Sequence, residues 1–153
     1  MTTFHLTSTW HIPASIESCW FSILDVTAWP SWWKYVDQVI EIKSAHCSEN
    51  NKLHQYTWST CLPYQLIFTL RAISIIPYQL ITFEARGDLI GNGCCKFSQK
   101  DNIVHIQFEW HVRTNKPWMS LISTYCQPIF EWNHRRVMQS GEQSLIQRLN
   151  LRS

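Results

Sequence analysis

The chain has 153 residues, 45% apolar and only 16% charged, with a net charge of +2 at neutral pH. That length suits one domain spanning residues 1–153 with a real core. No basic run offers a nucleic acid a footprint, and no apolar run reaches the length of a membrane span.

Nine tryptophans exceed what a small core needs and point to aromatic walls around a cavity. Six cysteines, Cys19, Cys47, Cys61, Cys94, Cys95 and Cys126, show no CxxC pair and no metal-type spacing. They read as reduced thiols; with no metal-type spacing and no P-loop or dinucleotide fingerprint, neither a metal nor a cofactor is expected. The N-terminus shows no charged and apolar leader, which makes the cytoplasm the expected location.

Taken in order, residues 4–12 alternate loosely and read as a strand. Pro13 suits a first helical residue, and Ile16, Trp20, Ile23 and Leu24 continue at helical spacing. Trp29 and Pro30 open a second short helix ending near Val36. Strands are expected at Val39–Lys43, Leu53–Thr60, Leu66–Ile75, Leu80–Arg86 and Cys94–Gln99. They are separated by a loop at His46–Asn51 and turns at Leu62–Tyr64, Pro77, Gly87–Asp88, Gly91–Gly93 and Lys100–Asn102. Cys94 and Cys95 fall on opposite faces, with Cys95 and Phe97 inward.

Ile103–Thr114 is the clearest strand. Val104, Ile106, Phe108, Trp110 and Val112 make one face, and His105, Gln107, Glu109, His111 and Arg113 the other. Such period-2 segregation marks a sheet with one dry and one wet face. Lys116–Leu151 then reads as the major helix. Pro128 should bend or split it into Pro117–Cys126 and Ile129–Leu149. Phe130, Val137, Met138, Gly141, Leu145 and Leu149 share an arc that can cover the dry face, with His134 in its middle.

A cavity between sheet and helix is therefore expected. Its wall would comprise Phe68, Leu70, Phe83, Phe97, Phe108, Trp110, Phe130, Val137 and Met138. His134 and Tyr56 would orient a ligand, with Trp58 on the same strand face as Tyr56. His134 is equally readable as a core histidine paired to a carbonyl or tyrosine. His54 either reaches the cavity mouth or, at its strand end, is solvated, and the strand-end position favours solvation. Asn133 is a polar handle or a helix–sheet hydrogen bond. Trp29, Trp32 and Trp33 either cap the entrance or plug the core. Arg71, Glu84 and Arg86 read as an outer charge ladder. His105, Glu109 and His111 share a face but span about 20 Å, too far for one ion. Neither Cys95 nor Cys126 has an evident activating base.

The segments HIPASIESCWFSILDVTAWPSWWKYV and FEWHVRTNKPWM, the Gly87-Asp88-Leu89 turn and the helical PIFEWNHRRVMQSGEQSL together resemble the START/birch-pollen-allergen (SRPBCC) superfamily. Locally they are most similar to its bacterial polyketide cyclase/dehydrase-like and lipid-transport-like members. The resemblance covers nearly the whole chain. It implies an α+β helix-grip fold, in which a curved antiparallel sheet of about seven strands wraps a long C-terminal helix, with two short helices after the first strand.

On this reading a monomer or homodimer binds or carries a small hydrophobic molecule: a lipid, an aromatic or a polyketide-like compound. The alternatives are a cyclase/dehydratase-type enzyme using the same cavity, and a structural domain with a filled core.

Overall fold

A computed structural model describes residues 3–42, 52–60 and 64–152, with the backbone alone at 118–126 and 151–152. The expected loop at 46–51, the turn residues Leu62 and Pro63, and the side chain of Cys126 lie outside the described residues. The elements are β1 (Thr3–Ile12), α1 (Ile16–Leu24), a 3-10 turn (Val26–Ser31), β2 (Val36–Ile42), β3 (Leu53–Ser59), β4 (Gln65–Ile76), β5 (Leu80–Gly87), β6 (Leu89–Lys100), β7 (Ile103–Thr114) and α2 (Pro117–Arg152).

The seven described strands form one curved antiparallel sheet in the order β1-β7-β6-β5-β4-β3-β2. Apart from β1, each strand pairs with its neighbour in sequence. The β1 strand returns to the end of the meander, with Phe4 opposite Val112 and Ile12 opposite Val104. The dry face follows the alternation: Val104, Ile106, Phe108 and Val112 of β7 are buried. The apolar arc of α2 packs over it, with Phe130, Val137, Met138 and Leu145 buried and Arg135, Arg136, Gln139 and Gln143 exposed.

Four boundaries differ from the sequence reading, each for a local reason. Pro13 is not the first helical residue of α1. Ser15 stays extended and its Oγ accepts the Ser18 amide at 3.1 Å, so the helix starts at Ile16. The second short helix is a 3-10 turn that ends by Ser31, because Trp33 turns into the core and Val36 already pairs with Trp58. Gly91 and Gly93 lie inside β6 rather than in a turn. A Cβ on Gly91 would stand 2.1 Å from the His111 carbonyl oxygen, and one on Gly93 would stand 2.7 Å from the Phe83 ring. These glycines allow neighbours to approach closely within a curving sheet. Finally, α2 runs through Pro128 as one helix. Pro128 sits on its exposed side, where the carbonyl freed by the missing N–H one turn earlier can face water.

At Gly141, α2 comes close to two indoles on the sheet side. A Cβ there would stand 2.5 Å from the Trp33 ring and 2.7 Å from the Trp10 ring. In an open helix, Gly141→Ala would gain about 1 kcal/mol from helix propensity. Against two wedged indoles the overpacking cost of about 1–3 kcal/mol should win. The urea midpoint is expected to fall, and an unchanged or higher midpoint would show that this contact is soft.

Two side chains fasten α2 to the edge strand. The Glu142 carboxylate accepts the His11 amide at 2.8 Å, and Ser8 Oγ lies 3.2 Å from His134 Nε2.

Candidate ligand cavity

Between the sheet and the helices lie two adjoining apolar chambers of about 270 and 110 Å³. The larger is roofed by Ile23, Trp29 and Trp33 and walled by Tyr56, Leu70, Phe83 and Phe108. The smaller is enclosed by Phe4, Leu66, Phe68, Phe130 and Val137, with Asn133 and His134 on its helical side. Trp58, Trp110 and Met138 line both chambers and stand at their junction.

The residues expected to form one cavity are therefore divided between two. Tyr56 faces the larger chamber and His134 the smaller, so these two polar groups do not converge. Phe97 lines neither. It is buried beneath α1, its ring 5.0 Å from that of Trp20. It faces inward as the alternation requires, but α1 covers that part of the sheet.

His54, whose strand-end position favours solvation, instead lines the larger chamber. It has the same strand parity as Tyr56, and their ring centroids are 6.5 Å apart. Desolvation lowers its pKa, opposed by Glu41 across the strand and assisted by nearby Lys52, so the ring is neutral at pH 7. Burial pushes the Tyr56 phenol well above its ordinary range. Burial also takes His134 down to about 4, leaving a neutral imidazole beside Ser8. Cys95 lines the larger chamber, where burial raises its thiol strongly. Its neighbour Cys94 lies on the outer face, 3.9 Å from the Glu109 carboxylate.

The indoles around the cavity are not equivalent. Trp29 Nε1 donates to the Ser22 carbonyl at 3.3 Å, and Trp33 Nε1 to the Val137 carbonyl at 3.0 Å. Trp58 Nε1 is buried with no acceptor among the described residues. Burying an unpaired donor costs about 1–3 kcal/mol. Trp10 Nε1 is likewise unpaired, but Trp10 lines neither chamber.

The three tryptophans after α1 divide their roles. Trp29 and Trp33 are buried and reach the larger chamber, whereas Trp32 stacks outward on Trp33 and borders a separate surface groove.

On the outer face, Glu84 bridges Arg86 at 2.7 Å and Arg71 at 3.2 Å, forming the expected ladder. His105 and His111 pair with β1 histidines rather than with Glu109. His111 stacks on His5 at 4.0 Å, and His105 meets His11 at 4.7 Å. The register of β1 makes these pairs, which β7 alone does not reveal. Among the described residues no group of three His, Cys, Asp or Glu side chains is placed to hold a metal ion. No described helix is long and apolar enough to cross a membrane.

No family model and no curated protein matches the sequence. Solved structures do match in fold. The Zhui aromatase/cyclase of a Streptomyces species superposes with a TM-score of 0.76 at 11% identity, over 99% of this chain and 96% of its own. A START superfamily protein of Mycobacterium smegmatis gives 0.76 at 10% identity, over 97% and 99%. A protein of Thermus thermophilus gives 0.75 at 12% identity, over 94% and 97%. The architecture is a helix grip, the fold shared with that START superfamily protein and with the aromatase/cyclase.

Proposed function

We propose that the protein binds or carries a small hydrophobic molecule in the paired chambers between sheet and C-terminal helix. The observation that carries this reading is an apolar cavity of about 270 Å³ whose wall has few polar groups, among them His54 and Tyr56. Its mechanism is desolvation. Apolar ligand surface leaves water at about 25 cal/mol per Å², while the polar groups select orientation.

Ala72 on β4 lines the larger chamber and has room in front of it. Ala72→Trp should fill that space and weaken binding of anilinonaphthalene sulfonate at least tenfold, read by its fluorescence. Undiminished binding by a folded variant would rule out this chamber as the site. Native mass spectrometry of the protein from its own host addresses the ligand directly, as a co-purifying hydrophobic mass.

One observation favours a second reading, a cyclase/dehydratase-type enzyme. A neutral imidazole and a phenol stand side by side on β3 facing the larger chamber, a proton acceptor beside a proton donor. If such an enzyme is present, His54→Ala should abolish turnover of a poly-β-ketone while leaving its binding intact. A carrier would show no turnover in either form.

A further inference from the structure

We infer that the two chambers form one bipartite site for an elongated hydrophobic molecule bearing a hydrogen-bond acceptor near its middle, a ketone or ester carbonyl that takes the Trp58 indole N–H. The inference rests on the binding reading above and goes further, fixing the place and chemical class of one polar group in the ligand.

The indole of Trp58 is held, not free to search for a partner. Its ring lies 4.8 Å from Trp33 in an edge contact and 6.3 Å from Phe68. Its N–H is buried without an acceptor among the described residues, whereas the neighbouring Trp29 and Trp33 indoles each have one. Unlike Trp10, Trp58 lines both chambers, so a ligand there can bring the acceptor that the described residues do not supply.

The position of Trp58 says where on the ligand that acceptor lies. Trp58, Trp110 and Met138 are the walls common to both chambers, so a molecule that fills both crosses at this point. Of the three, Met138 is the flexible one. An unbranched thioether can change rotamer at small cost, which would widen the passage beside the indole. The flanking chambers then take the two apolar arms, one beside Trp29, Trp33 and Tyr56, the other beside Leu6, Leu66 and Leu89. A hydrocarbon would leave the N–H unpaired, and an ammonium has no lone pair to offer it.

The test uses dihexyl ketone and tridecane, chains of equal length that differ in one carbonyl, as competitors of anilinonaphthalene sulfonate. The ketone should bind roughly tenfold more tightly than the alkane. Trp58→Phe should bring the two within about twofold, by weakening the ketone and sparing the alkane. In nitrogen–proton correlation spectra, the indole resonance lost in Trp58→Phe should move downfield with ketone and stay in place with alkane.

Leu66→Trp, which fills the smaller chamber, should weaken dihexyl ketone about tenfold and spare acetophenone, which fits in the larger chamber alone. Retained acetophenone binding also shows that this variant folds.

Equal affinity for ketone and alkane, or an unmoved resonance, overturns the role of Trp58 and leaves the binding reading standing. Unchanged ketone affinity in Leu66→Trp overturns the bipartite site. If neither chain displaces the probe from the unaltered protein, the binding reading falls, and this inference with it.

Discussion

Trp33→Ala should lower the free energy of unfolding by about 3–5 kcal/mol, the range for deleting a large buried aromatic. Trp33 is 1% exposed and is the hub of the aromatic cluster. Its ring lies 5.1 Å from Trp10, 5.3 Å from Trp29 and 4.8 Å from Trp58. It also fills the space left by Gly141, and its Nε1 donates to the Val137 carbonyl at 3.0 Å. One side chain thus joins the 3-10 turn, β1, β3 and α2. Trp33→Phe separates the contributions, since it keeps a ring but loses the hydrogen bond and part of the packing. Its cost should lie between zero and that of alanine. Urea unfolding followed by circular dichroism gives both values. A loss below about 1 kcal/mol for Trp33→Ala would mean that the cluster collapses onto the gap and that Trp33 is no hub.

The second large effect is a loss of stability in mild acid, set by His134. Burial depresses its folded-state pKa from the ordinary 6.5 to about 4. Between these values the unfolded chain binds a proton that the folded chain refuses, so stability rises with pH there. The contribution is fully present above about pH 6.5, declines as pH falls through the window and ends near pH 4. A change of this size corresponds to about 2–3 kcal/mol after allowance for the ring's residual exposure. His134→Gln has no titrating ring. Its urea midpoint should therefore vary less between pH 7 and pH 4.5 than that of the unaltered protein. Parallel profiles for the two proteins would show that His134 takes up its proton without strain.

The fold was legible because the sheet declares itself. The β7 alternation is unbroken from Val104 to Val112, and the arc from Phe130 to Leu149 names the face that covers it. Glycine misled the reading at β6, since Gly91 and Gly93 resemble turn punctuation until the pressing His111 carbonyl and Phe83 ring are known. Part of the candidate cavity's wall was legible by strand parity, although Phe97, inward by the same rule, lines neither chamber. Tyr56, Leu70, Phe83, Phe108 and Trp110 all line the larger chamber, and the same parity places His54 there despite its strand-end position.

What sequence does not carry is the relation between elements. The division of the cavity at Trp58, Trp110 and Met138 depends on how deeply α2 sits. The His5–His111 stack depends on the register of a strand about a hundred residues away. That no acceptor among the described residues reaches Trp58 depends on every neighbour at once.

The pairing of β1 with β7 also bears on how the protein is made. Among the described strands, the first to be made has its strand partner in the last: Thr3 waits for Arg113, and Ile12 for Val104. The meander from β2 to β7 can zip in order of synthesis, each hairpin closing a short loop. Through all of that time Phe4, Trp10 and Ile12, deeply buried at the end, have no sheet to lie on. Completion is thus a single long-range closure, slow by its chain separation and exposed to misassociation until it occurs. The same closure seats α2, because Gly141, Glu142 and His134 all meet residues of β1. The last strand pairing and the docking of the helix therefore share contacts, and the smaller chamber, lined by Phe4 and Leu6 of β1 and by Phe130 and Val137 of α2, depends on both.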